Sequence, residues 1–172
     1  MKNYIKMKNY ILPFALIMIL ISSACNRDNA SMEVRMTDAA GEYDKVNIDI
    51  QGISVKFEKD TAKWVELTAN KGVYDLLMFQ NGITTVVATG NSLPKTTVKE
   101  IRFVLGTNNS VVVQGVSYPL VLSSQDESGL KIKISKKLEK NLNTVTIDFD
   151  AAQSIVKENN GIYRLKPVLK LK

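Results

Sequence analysis

From Met32 onward apolar residues fall at every second position, and this period of two limits the fold more than any other feature, because successive strand side chains leave on opposite faces. Met32, Val34 and Met36 alternate with Glu33, Arg35 and Thr37, and after a polar turn over residues 38–44 the pattern resumes at Val46, Ile48 and Ile50. It then slips by one, continuing as Ile53, Val55 and Phe57. A one-residue slip would turn those three side chains to solvent unless a bulge absorbs it, so a β-bulge is expected at Gln51-Gly52.

Further short apolar runs at residues 64–67, 83–88, 98–105, 111–114, 118–122, 130–134 and 145–149 read as strands, spaced as in a sandwich rather than a βαβ unit. After an Asn160-Gly161 turn, Tyr163, Leu165, Pro167, Leu169 and Leu171 form a last alternating run. Pro167 cannot donate to a ladder, so this strand should lie at an edge or carry a break. Helix is confined to residues 150–158, with Asp150 as N-cap, and a turn around residues 74–79 before the hairpin signal Asn81-Gly82. The expected architecture is all-β, an antiparallel two-sheet β-sandwich with at most one or two short helices.

Ahead of the strands, Lys2, Lys6 and Lys8 precede the eleven-residue apolar run ILPFALIMILI at 11–21, and Ser22-Ser23-Ala24 lead to Cys25, the single cysteine. Spanning a bilayer takes about 20 apolar residues, so the run reads as a signal peptide over residues 1–25. The words MKNY occur at Met1 and again at Met7, and starting at Met7 leaves a leader of more usual length. Small residues before Cys25 resemble a bacterial lipobox, with Ser22 where leucine is commonest. Acylation of Cys25 would anchor the protein stably, because two or three acyl chains hold where one holds reversibly. Residues 26–31 read as a polar tether and 32–172 as one domain. The expected location is the cell envelope, lipid-anchored to a bacterial membrane, with the outer membrane favoured; only Asp28 stands where surface-exported lipoproteins carry an acidic pair, leaving both membrane faces open.

Composition then excludes function classes. Histidine is absent, which removes imidazole metal ligands and histidine-dependent nucleophilic catalysis. The formal charge of +6 falls to +3 without the three leader lysines, too mild for a nucleic-acid partner. No phosphate-cradling glycine motif occurs, and no cofactor is expected.

The strings MTDAAGEYDKVNIDIQG from Met36, DLLMFQNG from Asp75, EIRFVLG from Glu100, SGLKI from Ser128, DFDAAQSIV from Asp148 and GIYRLKPV from Gly161 resemble, in order, the domain-of-unknown-function 4382 family of bacterial lipoproteins. Ala40 stands where that family usually has proline. The resemblance implies a cell-envelope lipoprotein with a transthyretin-like or immunoglobulin-like β-sandwich, and it carries over no catalytic residue.

Several constellations are candidates for chemistry. Asp38, Glu42 and Asp44, with Asp49 on the next strand, offer oxygens for Ca²⁺, although acidic turns are ordinarily just solvated. Asp148 and Asp150 on one strand face form a possible acid–base pair, with Asp150 better used as a helix cap. Lys131, Lys133, Arg164, Lys166 and Lys170 would form a basic face if their strands adjoin, alongside the plainer use of edge lysines against aggregation. Trp64, Tyr43, Tyr74, Tyr118 and Tyr163 offer a sugar-stacking platform, with core packing the commoner use. Together these features lead to an expected non-catalytic envelope module binding a glycan, peptide or protein, with a pilin-like assembly subunit as the alternative.

Overall fold

The computed structural model describes residues 29–39, 42–123, 126 and 128–172. The expected leader, Cys25 and residues 26–28 of the tether lie outside the described residues, as do Ala40 and Gly41 of the acidic turn. Among the described residues no helix is long and apolar enough to cross a membrane.

Alternation in the sequence becomes two sheets sharing one core. The smaller contains β1 (Asn29–Thr37), β4 (Thr68–Ala69), β6 (Thr85–Pro94), β11 (Leu142–Phe149) and β14 (Leu169–Leu171), in the order β14-β11-β1-β6-β4. Met32, Val34 and Met36 of β1 are completely buried, as the period of two requires. Strand β1 starts at Asn29, pairing Asn29 with Pro94, so three tether residues belong to the sheet.

The larger sheet is organised by the long strand β2 (Lys45–Phe57). On one edge it pairs with β3 (Asp60–Glu66) and β5 (Gly72–Asp75), on the other with β7 (Thr97–Leu105) and β8 (Ser110–Val113). Beyond β7 lies β10 (Leu130–Lys137). Beyond β8 lie β9 (Val116–Leu122), β13 (Tyr163–Leu165) and β12 (Ile155–Lys157). The sheet therefore forks between Leu105 and Ser110, one branch ending on β10 and the other on β12. The expected bulge is present: the β2–β7 register slips between Ile50 and Gly52, and Ile50, Ile53, Val55 and Phe57 all stay in the core.

Three expectations are corrected. The sandwich is mixed rather than purely antiparallel, since β1 runs parallel to β11 and β9 parallel to β13. Side chains alternate identically in both kinds of pairing, so strand direction left no trace in the pattern. The expected helix shrinks to one turn, α1 (Ala151–Ser154), because β-branched Ile155 and Val156 enter β12 instead. The Asn81-Gly82 turn forms, with φ of 56° and 84° and the Ile83 amide donating to the Gln80 carbonyl at 3.1 Å. It joins a 3-10 turn, Leu76–Phe79, to β6 rather than linking two paired strands. Pro167 breaks the last strand as expected: β13 ends at Leu165 in the larger sheet and β14 begins at Leu169 in the smaller.

Candidate functional site

Asp49 holds the fork in the larger sheet. It is 2% exposed, on the outward side of β2 where β7 has ended and β8 has not begun. Its carbonyl accepts from the Gly106 amide at 2.8 Å, and its amide donates to Asn109 Oδ1 at 2.9 Å. Its carboxylate accepts from the Asn108 amide and from Gln51 Nε2. Asn109 Nδ2 closes the loop by donating to the Gly106 carbonyl at 2.7 Å. One backbone bond and the side chains of Asp49 and Asn109 thus stand in for the ladder across the gap, as buried polar groups require.

A groove runs along β9 on the branch beyond the fork. At one end Leu105, Gly106, Thr107, Asn109, Pro119 and Leu120 line a cavity of about 360 Å³. At the other, Tyr118, Pro119, Val121, Gly161, Ile162 and Tyr163 line an adjoining cavity of about 330 Å³. Val121 and Ile162 remain 41% and 42% exposed, apolar surface that the fold leaves uncovered. The Tyr118 and Tyr163 rings lie with centroids 4.9 Å apart, and Lys157 Nζ sits 5.5 Å from the Tyr163 ring.

The other branch presents a different face. Pairing aligns Glu66, Ser54, Arg102 and Lys131 in one rung across β3, β2, β7 and β10. Glu100 lies opposite Lys56 on β2 and Lys133 on β10, and Trp64, two residues before Glu66, points to the same side. Trp64 has Lys56 Nζ at 4.7 Å and the Arg102 guanidinium carbon at 4.6 Å from its ring. Each such cation–aromatic contact contributes about 0.5–1 kcal/mol at an exposed site. Trp64 is therefore an outward-facing side chain rather than a core residue: strand alternation allowed either face, and its neighbours on β2 decide it.

A third cluster joins α1 to β14. Asp38, Asp148 and Asp150 are all buried. Asp38 accepts from the Ala151 amide at 2.8 Å, and Asp150 caps the helical turn by accepting from the Gln153 amide at 3.0 Å. Lys170 Nζ lies 2.8 Å from Asp150 and Lys172 Nζ 3.7 Å from Asp148. Burial pushes the Asp38 carboxyl above its ordinary value, against the Ala151 amide. Burial acts upward on Asp150 too, but the Lys170 hydrogen bond, the Gln153 amide and the Lys170 charge together outweigh it and hold that carboxyl below its ordinary value.

These shifts give opposite pH dependences. Asp150 has a folded pKa below its unfolded value, so its stabilisation is complete above the unfolded value of about 3.9 and is lost as pH falls through the folded one. Asp38, raised by burial, opposes folding at neutral pH and is relieved on acidification. Since Lys170 is half exposed and screened by solvent, Lys170→Met should lower stability only slightly at pH 7. Urea unfolding should show that difference closing below about pH 4; a difference constant with pH would mean the ion pair contributes nothing.

The Domain of unknown function (DUF4382) family matches residues 29–167 of the chain. The chain belongs to that family. Among solved structures, a Bacteroides fragilis protein provisionally described as a cell adhesion protein aligns with a TM-score of 0.39 at 13% identity, covering 84% of this chain and 45% of its own. The chain thus spans less than half the length of that protein. No curated protein matches.

Within this DUF4382 domain the candidate residues are distributed differently from the sequence-based expectation. Of the calcium candidates, Asp44 accepts from the Gly115 amide at 2.7 Å, Asp38 faces Ala151 and Glu42 is exposed. Asp49 is occupied at the fork, and among the described residues no group of three acidic or thiol side chains could hold a metal ion. Asp148 and Asp150 meet lysines rather than a cleft. The basic face divides: Lys131 and Lys133 lie on one branch, Arg164 on the other, and Lys170 on the smaller sheet. Arg164 is paired with Glu158 at 2.6 Å, and Lys166 is exposed just past β13. Lys131 also borders a cavity of about 340 Å³ with Asp126, Pro167 and Leu169. Sequence reasoning missed Lys56, Arg102 and Val121, because their neighbours come from strands distant in the chain.

Proposed function

We propose that this DUF4382 protein is a lipid-anchored module of the bacterial cell envelope, fastened through Cys25, whose domain binds an extended segment of a peptide or protein partner without catalysis. The groove along β9 carries this reading: its uncovered apolar wall at Pro119, Val121 and Ile162 matches the side chains of an extended segment. The lack of histidine supports a non-catalytic role, as does the use of Asp38, Asp49 and Asp150 to hold backbone amides.

In cells given a fatty-acid analogue, the unaltered protein should take up label and sediment with membranes, while Cys25→Ser should stay unlabelled and soluble. Peptides selected on the protein from a display library should lose at least about tenfold in affinity to Val121→Asp and to Ile162→Asp, equivalent to about 1.4 kcal/mol. Label on Cys25→Ser would sink the anchor, and selected peptides indifferent to both groove variants would sink the groove.

The reading as an assembly subunit has its own support. Strand β14 covers only Ile147, Asp148 and Phe149 of β11, so residues 142–145 have no strand partner on that edge among the described residues. Such an edge can accept a strand from another chain. Concentration-dependent oligomers in gel filtration would favour it over a monomeric binding module.

A further inference from the structure

We propose that the outward face of β3, β2, β7 and β10 is a second binding site, for an anionic oligosaccharide that stacks on Trp64 and is held by the ammonium groups of Lys131 and Lys133. The site is independent of the groove along β9, which lies on the other branch of the sheet.

Charge is the first argument. The face carries Lys56, Arg102, Lys131 and Lys133 against Glu66 and Glu100. The two acids are taken, Glu66 by Arg102 at 3.1 Å and Glu100 by Lys56 at 3.9 Å. Lys131 and Lys133 are exposed and make no ion pair among the described residues; Asp126, which lines a cavity with Lys131, accepts from the Ser123 hydroxyl instead. The surplus is positive and sits on one edge of the face, so the complementary ligand is an anion.

Shape narrows the class. Trp64 stands on β3 and Lys133 on β10, three strand spacings away, or about 14 Å. A ligand touching both is a chain rather than a single small ion. An aromatic ring at one end and ammonium groups at the other suit a sugar chain, whose apolar ring faces stack while its acid groups find the lysines. Glu66, with a side chain 63% exposed, already shows the chemistry in miniature by setting a carboxylate on Arg102 beside the tryptophan. A membrane surface fits less well. Of the large hydrophobic side chains exposed among the described residues, none lies on these rungs to enter hydrocarbon.

Trp64 is the single tryptophan of the chain, so emission of the full-length protein in mild detergent, excited at the red edge where tyrosine does not absorb, reads this site alone. Oligogalacturonate, bearing carboxylates, or dextran sulfate, bearing sulfates, should change the emission saturably, and whichever binds tighter names the acid group. Neutral dextran and vesicles containing phosphatidylglycerol should leave it unchanged. Lys131→Glu combined with Lys133→Glu should weaken binding at least tenfold. Lys45→Glu with Lys71→Glu, the same charge change at exposed positions elsewhere, should weaken it less than threefold. Circular dichroism on both double variants separates loss of binding from loss of fold. No saturable response to either polyanion, an equal response to neutral dextran, a response to vesicles alone, or equal weakening by the two double variants would each overturn the site.

Discussion

Replacing Phe149 by alanine should lower the free energy of unfolding by about 3–5 kcal/mol, the range for deleting a fully buried aromatic ring. Phe149 has no exposed surface and closes β11 opposite Leu169 of β14. Its loss removes the apolar transfer energy and leaves a void that its strand-bound neighbours cannot fill. Asp148 and Asp150 on either side would then face a loosened interior while still held by Lys172 and Lys170. Phe149→Leu, which keeps most of the volume, should cost less than half as much. Urea titrations of the three proteins measure both differences, and equal losses from the two substitutions would show that something other than the cavity is responsible.

Gly106→Ala should cost about 3 kcal/mol, although it adds a single methyl group in a loop. A Cβ at Gly106 would overlap the Asp49 carboxylate, lying 2.7 Å from Asp49 Cγ and 2.9 Å from Gln51 Cγ. Asp49 cannot swing away cheaply, because its short buried side chain is fixed by the Asn108 amide and Gln51. Overpacking costs about 1–3 kcal/mol, and an amide left unsatisfied at Asn108 adds about 1–3 kcal/mol if the carboxylate is displaced. Gly52→Ala is the comparison: although Gly52 lies in the bulge, its Cβ would meet Val104 Cβ at an ordinary 3.6 Å. It should change stability by less than about 1 kcal/mol, and reduced unfolded-chain entropy can make the change favourable. If both glycines tolerate alanine equally, the fork does not depend on close approach at Gly106. Because Gly106 and Asn109 line one end of the groove, Gly106→Ala should also weaken groove binding.

The contrast between these glycines shows where the sequence was legible. The slip in alternation after Ile50 located the bulge at Gln51-Gly52 without coordinates, because a buried face must stay buried. Pro167 likewise marked the break between β13 and β14, since a missing amide hydrogen is a chemical fact of the residue. Nothing local marked Gly106, whose constraint comes from a carboxylate far away in the chain. Asp49 looked like a candidate calcium ligand for the same reason: its partners at Asn108 and Asn109 come from a distant turn. The lysines would form one basic face only if their strands adjoined, and the order of strands separates them.

By itself, then, the sequence determined an all-β domain, the identity of much of its core, the bulge, the break at Pro167 and the cap at Asp150. Each of these follows from one residue's chemistry or from the pleat of one strand. Only the tertiary structure decided the parallel pairings, the fork at Asp49, the uncovered groove at Val121 and Ile162, and the company of Trp64. Those depend on which strands lie side by side, and the alternation of side chains is the same whichever neighbour a strand takes.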